Sequence, residues 1–159
     1  MSRAALGLGS NLDGAHAITR AVQGCRALPQ TQLVRRSPLY LSGPWGGAMG
    51  GRFHNAALLI ETDLAPWRLL AEVLALERRQ GRRRGPRYAP RCIDIDLLWY
   101  QGARLSLPAL ELPHPRLLHR RFALTPLVDV APDAVVAPGL SARAALQRCE
   151  DRSPLWRLS

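Results

Sequence analysis

The chain has 159 residues, 47% of them hydrophobic and 21% charged, and carries a formal net charge of +10 at neutral pH. Length and apolar content suit a single globular domain with its own core and exclude disorder, and no apolar run approaches the roughly 18 residues of a membrane span. All 22 basic residues are arginine, so the positive balance reads as compositional bias and is discounted as a sign of nucleic-acid binding.

The N-terminus has no basic segment followed by a long apolar stretch, so no secretory signal is read there. Instead, residues 4–12 form a first strand ending in a turn. Gly7 and Gly9 suggest a phosphate loop, but no Gly-Lys-Ser/Thr follows and that reading fails. Ile18, Ala21, Val22, Cys25 and Leu28 recur at helical spacing and predict an amphipathic helix ending near Pro29. Leu33 to Ser42 is a strand candidate in which Pro38 implies an edge or a bulge. Residues 43–51 contain five glycines around Trp45 and Met49. This segment is either a flexible connector or a lid over a ligand. Phe53 to Thr62 is the second strand. Phe53 and Asn55 share a face at its start, as core residues or as a ring and an amide that meet a planar heterocycle. A helix from Pro66 to about Gln80 follows, with Gly81 as its stop, and its stripe of Leu70, Val73 and Leu74 continues in register to Glu77.

The chemistry concentrates beyond that helix. Residues 81–91 hold Arg82, Arg83, Arg84, Arg87 and Arg91, planar forks that grip phosphate oxygens in bidentate fashion. Unneutralised, these charges repel one another, so a loop ordered by a polyphosphate is expected. Arg91 leads into a strand with a side-chain period of two. Asp94 and Asp96 therefore face one way and Ile93, Ile95 and Leu97 the other. Paired carboxylates on one face can hold a hard cation such as Mg²⁺. Metal-binding acids beside a phosphate clamp point to nucleotide phosphate chemistry.

Gln101-Gly102 marks a turn, and Leu105 to Leu112 reads as a short hairpin continuing the sheet. After Pro113-His114-Pro115, residues 116–122 form a helical basic patch, and the apolar run from Leu124 to Val130 ends at Ala131-Pro132. Ser141 to Cys149 is a last short helix, and the final ten residues are expected to be a loosely held tail. The three cysteines, Cys25, Cys92 and Cys149, match no zinc or disulfide spacing and read as reduced thiols.

Several of these pieces occur together in family order: Gly-Ser-Asn-Leu at 9–12, Phe-His-Asn-Ala-Ala at 53–57, Glu77 followed by Gly81-Arg82-x-Arg84, and Pro90-Arg91-Cys92-Ile93-Asp94-Ile95-Asp96-Leu97. With Pro113-His114, Arg120 and Phe122, they make the chain closely resemble the 6-hydroxymethyl-7,8-dihydropterin pyrophosphokinases of folate biosynthesis. The resemblance implies an α+β, ferredoxin-like sandwich, an antiparallel sheet with helices on its outer faces. The matching pieces cover roughly residues 4 to 136, and residues 1–159 are read as one domain, with about 137–159 as a peripheral C-terminal helix and tail. The implied reaction moves pyrophosphate from ATP to the pterin hydroxymethyl group and leaves AMP.

On this resemblance Asp94 and Asp96 hold two Mg²⁺ ions, and Arg82 and Arg91 clamp the polyphosphate and share in catalysis. Glu77, Arg84, Arg87, His114 and Arg120 complete the ATP site. Ser42, Gly43, Trp45, Phe53, Asn55 and Phe122 form the pterin pocket, with the two phenylalanines sandwiching the ring. Leu74, Tyr88 and Pro115 depart from the pattern on the adenine side. Small-molecule substrates, no nucleic acid, no membrane and a cytoplasmic location are expected, with a monomer as the expected form and a homodimer as the alternative. An RNA-binding module and a noncatalytic nucleotide-binding regulator are the competing readings. The first would require exposed aromatics on central strands; the second would keep the clamp without needing the aspartate pair.

Overall fold

A computed structural model of the protein describes residues 1–43, 52–81 and 93–158. The order is β1 (Ser2–Ser10), α1 (Gly14–Arg26), β2 (Thr31–Arg36), β3 (Tyr40–Ser42), β4 (Phe53–Thr62), α2 (Pro66–Arg79), β5 (Asp94–Tyr100), β6 (Leu105–Leu107), β7 (Leu110–Leu112), α3 (Arg121–Val130), β8 (Val135–Ala137), β9 (Leu140–Ser141), α4 (Ala142–Arg148) and β10 (Leu155–Arg157). The main sheet runs β10-β3-β4-β1-β5, and β2 pairs with β4 along the edge that β3 also uses. Every pairing is antiparallel. If β2 and β3 are taken as one interrupted strand, the first part of the chain is a βαββαβ unit whose last strand lies beside its first. This is the ferredoxin-like arrangement.

Alternation along the central strands makes two cores, one on each face. On one face Leu6, Leu8, Leu58, Ile60, Ile95 and Leu97 pack under Ile18, Val22 and Cys25 of α1 and Leu69, Val73 and Leu76 of α2. On the other, Ala5, Ala57, Leu59 and Leu98 meet Leu124, Leu127 and Val130 of α3 and Ala142 and Ala145 of α4. A glycine inside a helix costs about 1 kcal/mol relative to alanine. Gly24 of α1 has a packing reason to be there, since a Cβ at that position would lie 2.4 Å from the Leu76 side chain.

Several expectations are corrected. The predicted strand over 33–42 is two strands, because Pro38 has no N–H for the ladder. Ser37 holds the break against β4: its N–H donates to the Ala57 carbonyl at 2.9 Å, and its hydroxyl accepts the Ala57 N–H at 2.8 Å. The buried stripe of α2 is Leu69, Val73, Leu76 and Glu77, and Leu74 is exposed. The 105–112 hairpin forms as β6 and β7 but is a separate two-stranded sheet. Residues 116–122 are not one helix: a 3₁₀ turn covers Leu117–His119, Arg120 is extended, and α3 starts at Arg121. The last ten residues are not a loose tail, for β10 adds a strand to the main sheet beside β3.

Candidate active site

The α3 face of the sheet is covered only in part. Opposed residues of antiparallel strands share a face. The register places Ala57, Gly7 and Asp96 in one cross-strand row and Asn55, Gly9 and Asp94 in the next. Ala57 is buried against the α3 core, whereas the outer row lies toward the sheet rim. In that row a strand position without a side chain separates an amide on β4 from a carboxylate on β5. A Cβ on Gly9 would meet Asn55 Oδ1 at 3.8 Å and Phe53 Cδ1 at 3.9 Å, so glycine leaves a bare floor with an amide and a ring at its border.

The amide wall is built by β3 and β4. Asn55 is buried, and its Nδ2 donates to Ser42 Oγ at 2.9 Å and to the Phe53 carbonyl at 3.1 Å. These bonds commit the amide hydrogens and orient Oδ1, an acceptor, beside Gly9. Ser42 and Phe53 are themselves paired across β3 and β4, and Gly43 follows Ser42 at the rim.

The carboxylate wall is β5. Ile93, Ile95 and Leu97 are buried in the α1 and α2 core, which turns Asp94 and Asp96 to the opposite face, as the strand period predicts. Asp94 is half-buried and Asp96 exposed, and a spacing of two residues sets their Cα atoms about 6.5 Å apart. Between them, the Ile95 N–H donates to Glu77 Oε2 at 2.6 Å. Glu77 is 2% exposed. The structure shows this acid bonded to the outer edge of the strand that carries the aspartates.

The segment between β7 and α3 supplies the third side. The His114 N–H donates to the Leu98 carbonyl at 2.9 Å, which anchors this loop to β5. His114 Nδ1 accepts the Arg116 N–H at 3.2 Å, a geometry that leaves the proton of a neutral imidazole on Nε2. Burial, and then the charges of Arg120 and Arg116, lower the His114 pKa against the opposing pull of Asp96 and Glu111. A neutral imidazole donor at pH 7 results. Burial also lowers the Arg120 pKa, while Asp96 and Asp94 act to raise it. The guanidinium remains charged and lies 5.6 Å from the centre of the Phe122 ring.

Of the predicted site residues, the structure therefore brings Ser42, Gly43, Phe53 and Asn55 to one side of the Gly9 floor and Asp94, Asp96 and Glu77 to the other. His114, Arg120 and Phe122 border it from the α3 side. Trp45, Arg82, Arg84, Arg87 and Arg91 lie outside the described residues, as do Tyr88, Cys92 and nearly all of both predicted loops. The role of Gly9 was missed in the sequence. A glycine in a strand bares the spot its side chain would cover, a signal hidden by reading Gly7 and Gly9 as a failed phosphate loop; Gly7, one row further in, is covered by Leu98, whose side chain would lie 3.1 Å from a Cβ there. A separate depression of about 660 Å³, lined by Trp99, Leu105, Val135 and Pro138 among others, contains none of the predicted site residues.

Among the described residues no group of three or more His, Cys, Asp or Glu side chains could enclose a metal. Two carboxylates on an open face do fit Mg²⁺, which is commonly held by one or two carboxylates with phosphate and water completing its octahedron. No helix among the described residues is long and apolar enough to cross a membrane.

Residues 5–132 match the 7,8-dihydro-6-hydroxymethylpterin-pyrophosphokinase (HPPK) family. A 2-amino-4-hydroxy-6-hydroxymethyldihydropteridine pyrophosphokinase of Methylorubrum extorquens is 44% identical over 151 residues, 94% of this chain and 95% of that protein. A protein of the same name from Pseudomonas aeruginosa is 40% identical over 94% of this chain and 93% of its own length. In fold, the chain is similar to Plasmodium falciparum HPPK-DHPS crystallised with pteroate, at a TM-score of 0.73 and 14% identity. That match covers 92% of this chain but 42% of the larger one.

Proposed function

Because the chain belongs to the 7,8-dihydro-6-hydroxymethylpterin-pyrophosphokinase family, we propose that the glycine-floored face between Asn55 and Asp94 is where its two substrates meet. The protein is a pyrophosphokinase of folate biosynthesis, transferring pyrophosphate from ATP to hydroxymethyldihydropterin. The row Asn55–Gly9–Asp94 carries the assignment of the site. It sets a hydrogen-bonding amide and an acid on either side of a gap that a flat ring can enter.

In this reading Phe53 and Phe122 sandwich the pterin, and Asn55 Oδ1 accepts from its ring N–H groups. Ser42 holds Asn55 in place, and Gly43 and Trp45 complete the pocket. The hydroxymethyl oxygen is directed toward β5. It attacks the β-phosphorus of ATP, the bond from that phosphorus to the α,β-bridging oxygen breaks, and AMP leaves as the hydroxyl proton is lost. Such a transfer needs alignment and charge neutralisation more than covalent help from the protein. Arg120, influenced by Asp94 and Asp96, and His114, a neutral donor, would meet phosphate oxygens. Arg82, Arg84, Arg87 and Arg91 supply further guanidiniums from the loop before β5, with Arg82 and Arg91 closest to the reaction. Glu77 contributes by holding β5.

Asp94 and Asp96 would hold Mg²⁺, two ions in this reading, which when bound neutralise phosphate charge and favour an ionised hydroxyl. We also take the protein to be a monomer and to be cytoplasmic; the free, buried thiols of Cys25 and Cys149 suit the reducing compartment. The test of the site is a product assay by mass. Wild type with ATP, Mg²⁺ and 6-hydroxymethyl-7,8-dihydropterin yields AMP and the pterin diphosphate. Asp94→Ala and Asp96→Ala each lose turnover by on the order of 100-fold, the scale of one preorganised charge-stabilising group. Wild-type turnover in both variants overturns the assignment.

A further inference from the structure

The C-terminal segment, which the reaction does not use, touches both walls of the proposed pterin pocket. At one end Asp151 Oδ2 accepts the N–H of Arg121 at 2.9 Å, and Arg121 Nη1 donates to the Ser153 carbonyl at 3.0 Å. Arg121 is the first residue of α3 and precedes Phe122. The residue before the helix gives no side-chain cap, so a carboxylate from 30 positions away satisfies one of the open N–H groups of the first turn. Asp151 is itself braced, because its Oδ1 accepts the Ser153 N–H at 2.9 Å. Burial acts to raise its pKa, but the hydrogen bonds from Ser153 and Arg121 and the charge of Arg121 outweigh that and hold it below the ordinary carboxylate range.

At the other end β10 pairs with β3, Leu155 opposite Ser42, Trp156 opposite Leu41 and Arg157 opposite Tyr40. Ser42 is the residue that orients Asn55 and pairs with Phe53. Trp156 lies 4.7 Å beneath the Arg52 guanidinium, so the residue just before Phe53 is tied to the same strand. The Leu158 N–H adds a bond to the Leu39 carbonyl at 2.8 Å. From Asp151 to Leu155 the chain advances four residues, a reach of at most about 14 Å. The far end of α3 has its own tie to β3, the Tyr40 hydroxyl donating to Asp129 Oδ2 at 2.5 Å. At the near end, beside Phe122, the C-terminal segment makes the connection.

We propose that residues 151–157 are a strap that sets the spacing between the Phe122 wall and the Ser42–Phe53 wall, with Asp151 and Trp156 as positioning residues for the pterin. The inference rests on the reading that these walls bind the pterin. It predicts a selective effect: loosening the strap widens the slot for the flat ring and leaves the ATP side on β5 in place.

The test is steady-state kinetics of full-length Asp151→Ala and Trp156→Ala with each substrate varied in turn, beside thermal unfolding. KM for 6-hydroxymethyl-7,8-dihydropterin rises about tenfold, the scale of one hydrogen bond to a charged group, while KM for ATP stays within about twofold by the same measure. Asp151→Asn, whose side-chain oxygen can still accept the Arg121 N–H, recovers most of the loss. If both KM values rise together, or the pterin KM is unchanged while the melting temperature falls, the segment is only a stabilising element and the proposal is overturned. Phe122→Ala separates the two levels. If it leaves the pterin KM unchanged, the pocket reading fails and the strap with it; if it weakens the pterin while Asp151→Ala does not, the strap alone fails. Should Asp151→Ala not fold, Trp156→Ala, at a side chain 44% exposed, decides the matter.

Discussion

Glu77 offers a sharp test of how the fold serves the site. Its carboxyl accepts the Ile95 N–H at 2.6 Å on the open edge of β5, between the two aspartates. Glu77→Ala leaves that buried donor without this acceptor, at a cost of about 1–3 kcal/mol. For a chain of this size each kcal/mol lowers Tm by about 2–4 °C, so a loss near 2 kcal/mol corresponds to roughly 4–8 °C. Glu77→Gln retains a side-chain oxygen in the same place and should lose less than half as much. The functional consequence is separable from the stability loss. Without the outer bond the aspartates keep their chemistry but not their placement, and a misplacement on the order of 1 Å can cost 10²-fold in rate. Turnover measured well below Tm, at saturating ATP and pterin, should therefore fall at least tenfold in Glu77→Ala by the same reasoning. Glu77→Gln should keep most of it. Wild-type Tm and wild-type turnover in Glu77→Ala would show that Glu77 neither holds β5 nor serves the acids beside it.

Gly9→Ala should separate floor from fold. The new Cβ makes only ordinary contacts, at 3.8 Å or more, so Tm is unchanged, yet a methyl group now lies on the floor and kcat/KM for the pterin falls about tenfold or more. Unimpaired pterin kinetics in that variant would show that the ring does not rest there. Burial pushes the Cys25 thiol up to about 12, so a thiol reagent at pH 8 should leave Cys25 unmodified in the native protein and label it after denaturation, as read by peptide mass. Native labelling of Cys25 would contradict its placement on the buried face of α1. The folded-state pKa of Asp151 lies below its unfolded value, so its stabilisation is present above about pH 4 and is lost as pH falls through the folded value. The Tm deficit of Asp151→Asn relative to wild type should accordingly be present at pH 7, shrink below about pH 4, and be reduced by salt, since the carboxylate is partly solvated. A deficit independent of pH would remove the ionic part of that bond.

Local pattern carried much of the architecture. The strand Phe53–Thr62, the helix from Pro66 and the small helix after Ser141 occupy the predicted positions, because a short continuous apolar run, a Pro start and a Ser cap are written within a few residues. Glu77 sat in the predicted buried register, but the identity of its partner depended on where β5 lay, 18 residues on. The Leu33–Ser42 strand broke because the sequence does not say how Ser37 would bridge the gap that Pro38 opens. The tail was misread for a related reason. Leu155-Trp156-Arg157 has no strong strand pattern, and its order comes from an open edge on β3 supplied by a distant part of the chain.

The sequence by itself determined the chemical inventory: paired acids at period two, a run of guanidiniums before them, and an aromatic and an amide at the start of a strand. Those are covalent facts about spacing, and with the resemblance they were enough to name the reaction. Only the tertiary structure decided that β1 lies between β4 and β5, so that Gly9 becomes the floor between an amide and an acid. It also decided that the chain's last strand returns to join both walls of that site. Strand order and edge pairing follow from which surfaces are left to be covered once everything else has packed, and no local stretch of residues specifies that.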